Sequence, residues 1–300
     1  MGGLNVDRIY EDQEIIILSD KTVESDNGRI LTFTDGSSVD VESRRIVNKG
    51  AGDIVIKDLP LWPAMAEILR DQRDYDGIAH LIVSGDMNNI VIIPDESEYC
   101  TVSLGGADEF VKNTSIRKQG DRLYIETPRS ESNVHINMGS IWVNGKRLPP
   151  KLDEDFGYIE IKCSNIESLY VNGTGTGDIY SQVPIGELQA KIKGSTSVDA
   201  MQIANVNVEI SGSGNITVDQ LKGNLRGRIS GSGSIDILNG EIGDLDVTVS
   251  GSGSLLVGAT VRTASLILSG SGEMLVAHIV DGYVEQKTAS GFIKVLRKGL

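Results

Sequence analysis

From residue 174 onward the chain repeats itself about every 19 residues, and a period that short admits very few folds. Four segments are near copies: VEISGSGNITV from Val208, GRISGSGSIDI from Gly227, VTVSGSGSLLV from Val247 and LILSGSGEMLV from Leu266. Their anchor serines are Ser211, Ser230, Ser250 and Ser269, and weaker copies place Thr174, Lys193 and Thr288 on the same ladder. The seven anchors are spaced 19, 18, 19, 20, 19 and 19 residues apart. Helical-pair repeats need about 33 residues or more, whereas single-coil solenoids fall in this range. The flanks also refuse a helix, because each Gly-Xaa-Gly costs about 1 kcal/mol per glycine there and the neighbours are Val, Ile, Leu and Thr alternating with period two.

Each coil therefore reads as strand, glycine turn, strand, connector. Before the turn, Val208 and Ile210 correspond to Val247 and Val249 and to Leu266 and Leu268. After it, Ile216 and Val218 correspond to Ile235 and Ile237, Leu255 and Val257, and Met274 and Val276. The residues between them, Glu209, Thr217, Asp236, Thr248 and Ile267, are mostly polar and face outward. A third apolar set, Leu221, Ile242, Val261 and Ile279, follows each anchor by 10 to 12 positions. Three inward sets predict a closed, roughly triangular coil, and so an all-β fold: a parallel β-helix of about 19-residue coils with SGSG turns. One coil alone lacks the buried surface to stand, so stability has to be shared between stacked neighbours.

The turn glycines are the residues the sequence singles out. A corner made in two or three residues needs either positive φ or close backbone approach, which glycine allows. Gly212, Gly231, Gly251 and Gly270 are expected to stack as one column and Gly214, Gly233, Gly253 and Gly272 as another. Ser213, Ser232, Ser252 and Ser271 then form an uncharged ladder along that edge.

The first half is less regular. Residues 80–165 alternate in short runs such as HLIVSG, NNIVIIP and DRLYIETP, which predicts irregular coils over 77–168 ahead of regular ones over 169–300. Residues 1–76 read as an N-terminal extension or cap. In it, Asp35-Gly36 marks a hairpin, and residues 49–56 echo a coil turn or form a capping element. PAMAEILRDQR over 63–73 is the one good helix pattern, placed to plug the open end of the stack, with a boundary near residue 76.

These motifs together resemble the putative auto-transporter adhesin, head GIN domain family, over about residues 77–300. The resemblance rests on the serial SGSG turns, on the opening IVSGDMNNIVIIPDESEYCTVSLGG and on the following IRKQGDRLYIET. It implies a right-handed parallel β-helix with a surface or adhesive role and brings no catalytic residues. The chain departs from the family by its extension over 1–76 and by the absence, in the start MGGLNVDRIYEDQE, of the basic and apolar regions of an export signal.

Composition narrows the partners. Acidic residues outnumber basic ones by 42 to 28, a formal charge of −14, so nucleic acid and anionic lipid are expected to be repelled. Residues 174–300 hold 12 acidic and 10 basic side chains, leaving 30 and 18 to residues 1–173, where the acidity sits. Thirty-five glycines against 2 Trp, 8 Tyr and 4 Phe suit a thin, tightly turned β structure. No apolar run reaches the roughly 20 residues of a membrane helix. Val6 stands where myristoylation at Gly2 prefers Ser or Thr. Cys100 and Cys163 read as two buried thiols.

The chemistry-bearing residues do not cluster in the sequence. His80, His135 and His278 lie far apart with no ligand spacing, so no metal is expected. No GxSxG elbow is present, and a nucleophile would not recur in every coil as SGSG does. No copy completes GxGxxG, and the position after the second glycine is Asp178, Ser197, Asn215, Ser234, Ser254, Glu273 or Phe292, which is no calcium ladder. Polysaccharide lyases need clustered carboxylates and aromatic platforms, yet after residue 173 the only aromatics are Tyr180, Tyr283 and Phe292. The acidic runs Asp95–Glu98 and Asp153–Asp155 read as solvated loops, and Trp62 and Trp142 as packing residues.

The sequence thus predicts a non-enzymatic surface adhesin or binding module without cofactor, engaging a cell-surface or glycan ligand along its flank. The alternative is a self-assembling scaffold or phage particle component, a homo-oligomer joined by end-to-end or side contacts. A carbohydrate-active enzyme is the remote third.

Overall fold

The computed structural model describes residues 7–11, 15–19, 23–26, 30–33, 38–40, 45–48, 54–58, 69–86, 89–128, 141–143, 146–148, 157–288 and 290–299. The chain divides into two compact units, Met1–Met65 with Met138–Lys151, and Ala66–Asn137 with Leu152–Leu300.

The first unit is antiparallel. Strands β1 (Asp7–Glu11), β2 (Ile15–Ser19) and β7 (Ile54–Asp58) make one sheet. A second sheet contains β3 (Val23–Asp26), β4 (Ile30–Phe33), β5 (Ser38–Asp40) and β6 (Arg45–Asn48). Strands β4 and β5 pair antiparallel, and Asp35-Gly36 itself lies outside the described residues. β7 pairs antiparallel with β2; of the echo over 49–56, residues 49–53 lie outside the described residues and 54–56 belong to β7. A hairpin of β14 (Ile141–Val143) and β15 (Lys146–Leu148) groups with this unit.

The second unit is a β-solenoid of about seven turns. Its strands run β8 (Leu69–Asp76), β9 (His80–Gly85), β10 (Asn89–Pro94), β11 (Tyr99–Gly106), β12 (Ser115–Gln119) and β13 (Arg122–Thr127). After the β14–β15 hairpin come β16 (Gly157–Cys163), β17 (Ile166–Gly173), β18 (Asp178–Ser181), β19 (Ile185–Ile192), β20 (Ser197–Ile210) and β21 (Asn215–Leu221). The last coils are β22 (Leu225–Ile229), β23 (Ser234–Val249), β24 (Ser254–Leu268), β25 (Glu273–Lys287) and β26 (Phe292–Lys298). From β17 upward every inter-coil pairing is parallel. The register follows the repeat, with Val206 beside Leu225, Leu225 beside Leu245, and Leu245 beside Ala264.

The alternating aliphatics fill the interior. Val208, Ile210, Ile216, Val218, Val247, Val249, Leu266, Leu268, Met274 and Val276 are all buried, as are Leu221, Ile242, Val261 and Ile279 of the third set. In the fourth coil Gly227 occupies the place that Val208 and Val247 take in their coils, and the Ile235 side chain fills the space: a Cβ on Gly227 would lie 2.7 Å from Ile235 Cδ1.

The stack does not begin where its sequence begins. β9 and β10 form a coil in the interior of the pile, with β13 and β16 beneath them and β17 and β18 above, all in parallel pairing. The chain therefore descends before it climbs. Between β13 and β16, where later coils turn in four residues, residues 128–156 intervene and carry the β14–β15 hairpin.

Below β16 the pairing turns antiparallel, through β11 and then β8, and β12 adds antiparallel to β13. Lys118 of β12 hydrogen bonds Asp76 of β8, tying the two edges together. These edge strands carry exposed charges such as Arg73, Asp74 and Lys118, which blunt pairing with another chain.

One expectation needs correction here. The helix predicted over 63–73 falls partly outside the described residues, and over Leu69–Arg73 the chain is strand β8. Helix propensities differ by less than about 1 kcal/mol per residue and short helices are marginal, so a continuous antiparallel ladder to β11 overrides the local pattern. The two compact units divide ahead of β8, between Met65 and Ala66, while the boundary near residue 76 remains an expectation from the sequence. The helix that does cover this end is α1 (Asp108–Asn113), whose buried Phe110 packs on Gly157, where a Cβ would meet the ring at 2.3 Å.

Candidate functional site

The outer face formed by β17, β19 and their successors carries the candidate site. Residues two positions before each anchor project outward and stack in register: Asn172, Lys191, Glu209, Arg228 and Thr248. The anchors Lys193, Ser211, Ser230 and Ser250 run beside them. Between these two columns lies a shallow groove of about 440 Å³, with charged side chains as its walls and serine hydroxyls along one side. Neighbouring coils are about 4.8 Å apart, so Lys191 and Arg228, two coils apart, stand about 9.6 Å from each other.

Lys191 approaches Glu209 at only 3.9 Å, both well exposed. Lys193 and Arg228 meet no carboxylate among the described residues. Elsewhere on the repeat, Arg226 lies 3.6 Å from Asp246 and Arg262 lies 2.9 Å from Asp244. The groove is thus a cationic, hydroxyl-lined strip on a chain of net charge −14.

The adjoining face beyond the SGSG corner has the opposite character, with Asp178 exposed and Asp199, Asp219 and Asp236 partly exposed. The Asp178 carboxyl is pushed up to about 6, first by desolvation among surrounding atoms and then by Asp199, while a hydrogen bond from Ser197 opposes the shift. No group of three or more His, Cys, Asp or Glu side chains suited to a metal occurs among the described residues.

The corner glycines lie where the repeat places them, and their backbone explains the residue choice. None of the eight has positive φ. A Cβ on Gly212, Gly231, Gly251 or Gly270 would instead sit 1.8–2.1 Å from the carbonyl oxygen one coil below, and on Gly214, Gly233, Gly253 or Gly272 1.9–2.3 Å from one. Close approach is therefore the reason for glycine. The facing amides close the ladder, as in Ser213 N to Gly194 O at 2.9 Å and Ser232 N to Gly212 O at 3.0 Å.

A second ladder escaped the sequence reading although its period is the same. Asn224 N donates to Asn205 Oδ1 at 3.0 Å, Asp244 N to Asn224 Oδ1 at 2.9 Å, and Thr263 Oγ1 to Asp244 Oδ1 at 2.6 Å. Each of these residues lies six positions before its anchor.

Of the histidines, His278 Nε2 bonds the Gly299 carbonyl, and His135 lies outside the described residues. His80 is brought to Ser168, with Nδ1 to Oγ at 2.8 Å, and its Nε2 faces Asp121 at 3.5 Å and Glu167 at 3.9 Å. This has the connectivity of a hydrolytic triad, but the Glu167 and Ser168 amides are not free as oxyanion donors, since both point to the Ala79 carbonyl. Trp62 and Asp153–Asp155 lie outside the described residues, and Trp142 sits in β14.

The second unit is thus a parallel β-solenoid whose flank presents a shallow, repeated surface. The chain belongs to the family described as putative auto-transporter adhesin, head GIN domain, whose model matches residues 75–278. It is similar in fold to a putative adhesin of Bacteroides fragilis, with 17% identity over 75% of this chain and 96% of that one and a TM-score of 0.53. A putative adhesin of Parabacteroides distasonis matches with 15% identity over 76% and 94% and a TM-score of 0.51. No relative was found among curated proteins. Among the described residues no helix is long and apolar enough to cross a membrane.

Proposed function

We propose that the chain is a non-enzymatic surface-binding module whose solenoid flank holds an acidic glycan in the groove between Lys191 and Ser250. The observation that carries this reading is the pair of cations, Lys193 and Arg228, held without carboxylate partners over a hydroxyl ladder on an otherwise acidic chain. Family membership supports the adhesive role. One exposed charge contact is worth about 1 kcal/mol or less. Affinity therefore comes from several contacts along a polymer, a task suited to a site that repeats at coil spacing.

The test is binding of a sulfated polysaccharide, a polyuronate and a neutral glucan to the full chain at low and physiological salt. Binding restricted to the acidic polymers, weakened by salt and reduced about tenfold or more by Lys193→Ala with Arg228→Ala, is the expected result. Arg262→Ala, which removes a cation already paired with Asp244, serves as the control. Equal binding of the neutral glucan, or a double variant that binds as the unaltered chain does, overturns the reading.

A second reading, self-assembly, has one observation in its favour. The last coil leaves Val284 at 68%, Phe292 at 44% and Leu296 at 45% exposed, beside the free edge of β26. A second copy of the chain, pairing edge to edge, would cover them.

A further inference from the structure

Cys100 and Cys163, 63 positions apart in the chain, are neighbours in the fold. The antiparallel ladder of β11 and β16 pairs Thr101 with Lys162 and Val102 with Ile161, a register that sets Cys100 against Cys163. Both side chains turn into the core, 3% and 4% exposed. Strands on both sides hold this register: Tyr75 of β8 lies opposite Cys100 and Pro94 of β10 beside Cys163. Directly opposed residues of an antiparallel pair have α-carbons about 4.5–5.5 Å apart, inside the span of about 4.4–6.8 Å that a disulfide bridges.

We propose that Cys100 and Cys163 are an oxidative modification site, closing to an intramolecular cross-strand disulfide when the chain meets a small disulfide oxidant of the glutathione type. The Cys100 thiolate attacks one sulfur of the oxidant, breaks its S–S bond and releases one small thiol. Cys163 then gives up its proton and attacks Cys100 Sγ in the mixed disulfide, releasing the second small thiol. Two protein thiols become one disulfide, and their two electrons and two protons end on the two small thiols. Interaction with Cys163 holds the Cys100 thiol below its ordinary value, and the same interaction together with burial pushes Cys163 up, which makes Cys100 the attacking group.

Burial makes the reaction slow in the folded chain, where it requires the edge strand β8 to open, and fast during folding, before β8 covers β11. In a reducing compartment the pair stays as thiols, and in an oxidising one it closes. The bond would join β11 to β16 and enclose residues 101–162, fixing the antiparallel end on which the repeat is stacked.

The test refolds the full chain in a mixture of oxidised and reduced glutathione, then denatures it and alkylates the remaining thiols. The expected product has no alkylated cysteine, has lost two hydrogens in mass and yields one peptide joining Cys100 to Cys163. Its thermal midpoint lies about 5 °C or more above that of the reduced chain, and reductant removes the gain. Cys163→Ser is expected to trap Cys100 as its glutathione adduct. Two alkylated thiols after oxidative refolding, two glutathione adducts on the unaltered chain, or disulfide-linked dimers in place of the internal bond each overturn the proposal. The mass of the unaltered chain decides the question even where the serine variant does not fold.

Discussion

A Cβ placed on Gly251 would lie 2.1 Å from the carbonyl oxygen of Gly231, one coil below. No side chain fits at that distance without moving one of two backbones, and the Ser252 N to Gly231 O bond of 3.1 Å opposes the movement. Gly251→Val is therefore expected to cost about 3 kcal/mol or more, read as a lowered urea midpoint, with amide protection lost first in the coils on either side. Ser252→Ala at the exposed next position is expected to stay within about 0.5 kcal/mol. Equal stability of the two variants contradicts the role of close approach.

The regular half of the fold is legible because every coil solves the same packing problem, so one alignment on the anchors yields the buried set from Val208 to Val276. The same alignment contains the groove. Lys191, Glu209, Arg228 and Thr248 all stand two positions before an anchor, and comparing charge along that column would have brought the cations together. The opening is less legible because its partners are distant in sequence. β8 is strand only because β11 lies beside it, and the descent from β10 to β16 leaves no periodic trace. The pairing of Cys100 with Cys163 depends in turn on the β11–β16 register, which no local pattern specifies.

Asp178 gives the fold a pH dependence of defined sign. Its carboxyl is raised from 3.8 to about 6 in the folded chain, so between these values the folded state holds a proton that the unfolded state has lost. This contribution is fully present below about 4 and disappears as pH rises through about 6. Asp178→Asn is expected to raise stability above pH 6 relative to the unaltered chain and to flatten the profile over that window. Denaturant titrations across pH 4–7 with superimposable slopes for both chains would count against the assignment.

The Ser168 and His80 pair offers a direct check on the non-enzymatic reading. Ser168 Oγ bonds His80 Nδ1 at 2.8 Å, but the Glu167 and Ser168 amides are committed to the Ala79 carbonyl and are not free to receive a developing oxyanion. A fluorophosphonate probe is expected to leave Ser168 unlabelled by mass spectrometry. Stoichiometric labelling, lost in His80→Ala, would make hydrolysis the leading function and move the site from the groove to the start of β17.

The last coil and the groove are expected to respond to salt in opposite directions, which would separate self-association from ligand binding. The edge at β26 combines exposed Phe292 and Leu296 with Lys294, Arg297 and Lys298, and Lys287 lies near the end of β25. Two such edges attract through apolar burial and repel through like charge, so screening favours their union. Light scattering over a wide concentration range is expected to show a mass that grows with concentration and grows further with salt, and Phe292→Asp with Leu296→Asp is expected to hold the chain monomeric. The proposed binding of an acidic glycan in the groove is expected to weaken over the same salt series. A mass independent of both concentration and salt removes the assembly reading and leaves the flank as the working surface of the solenoid.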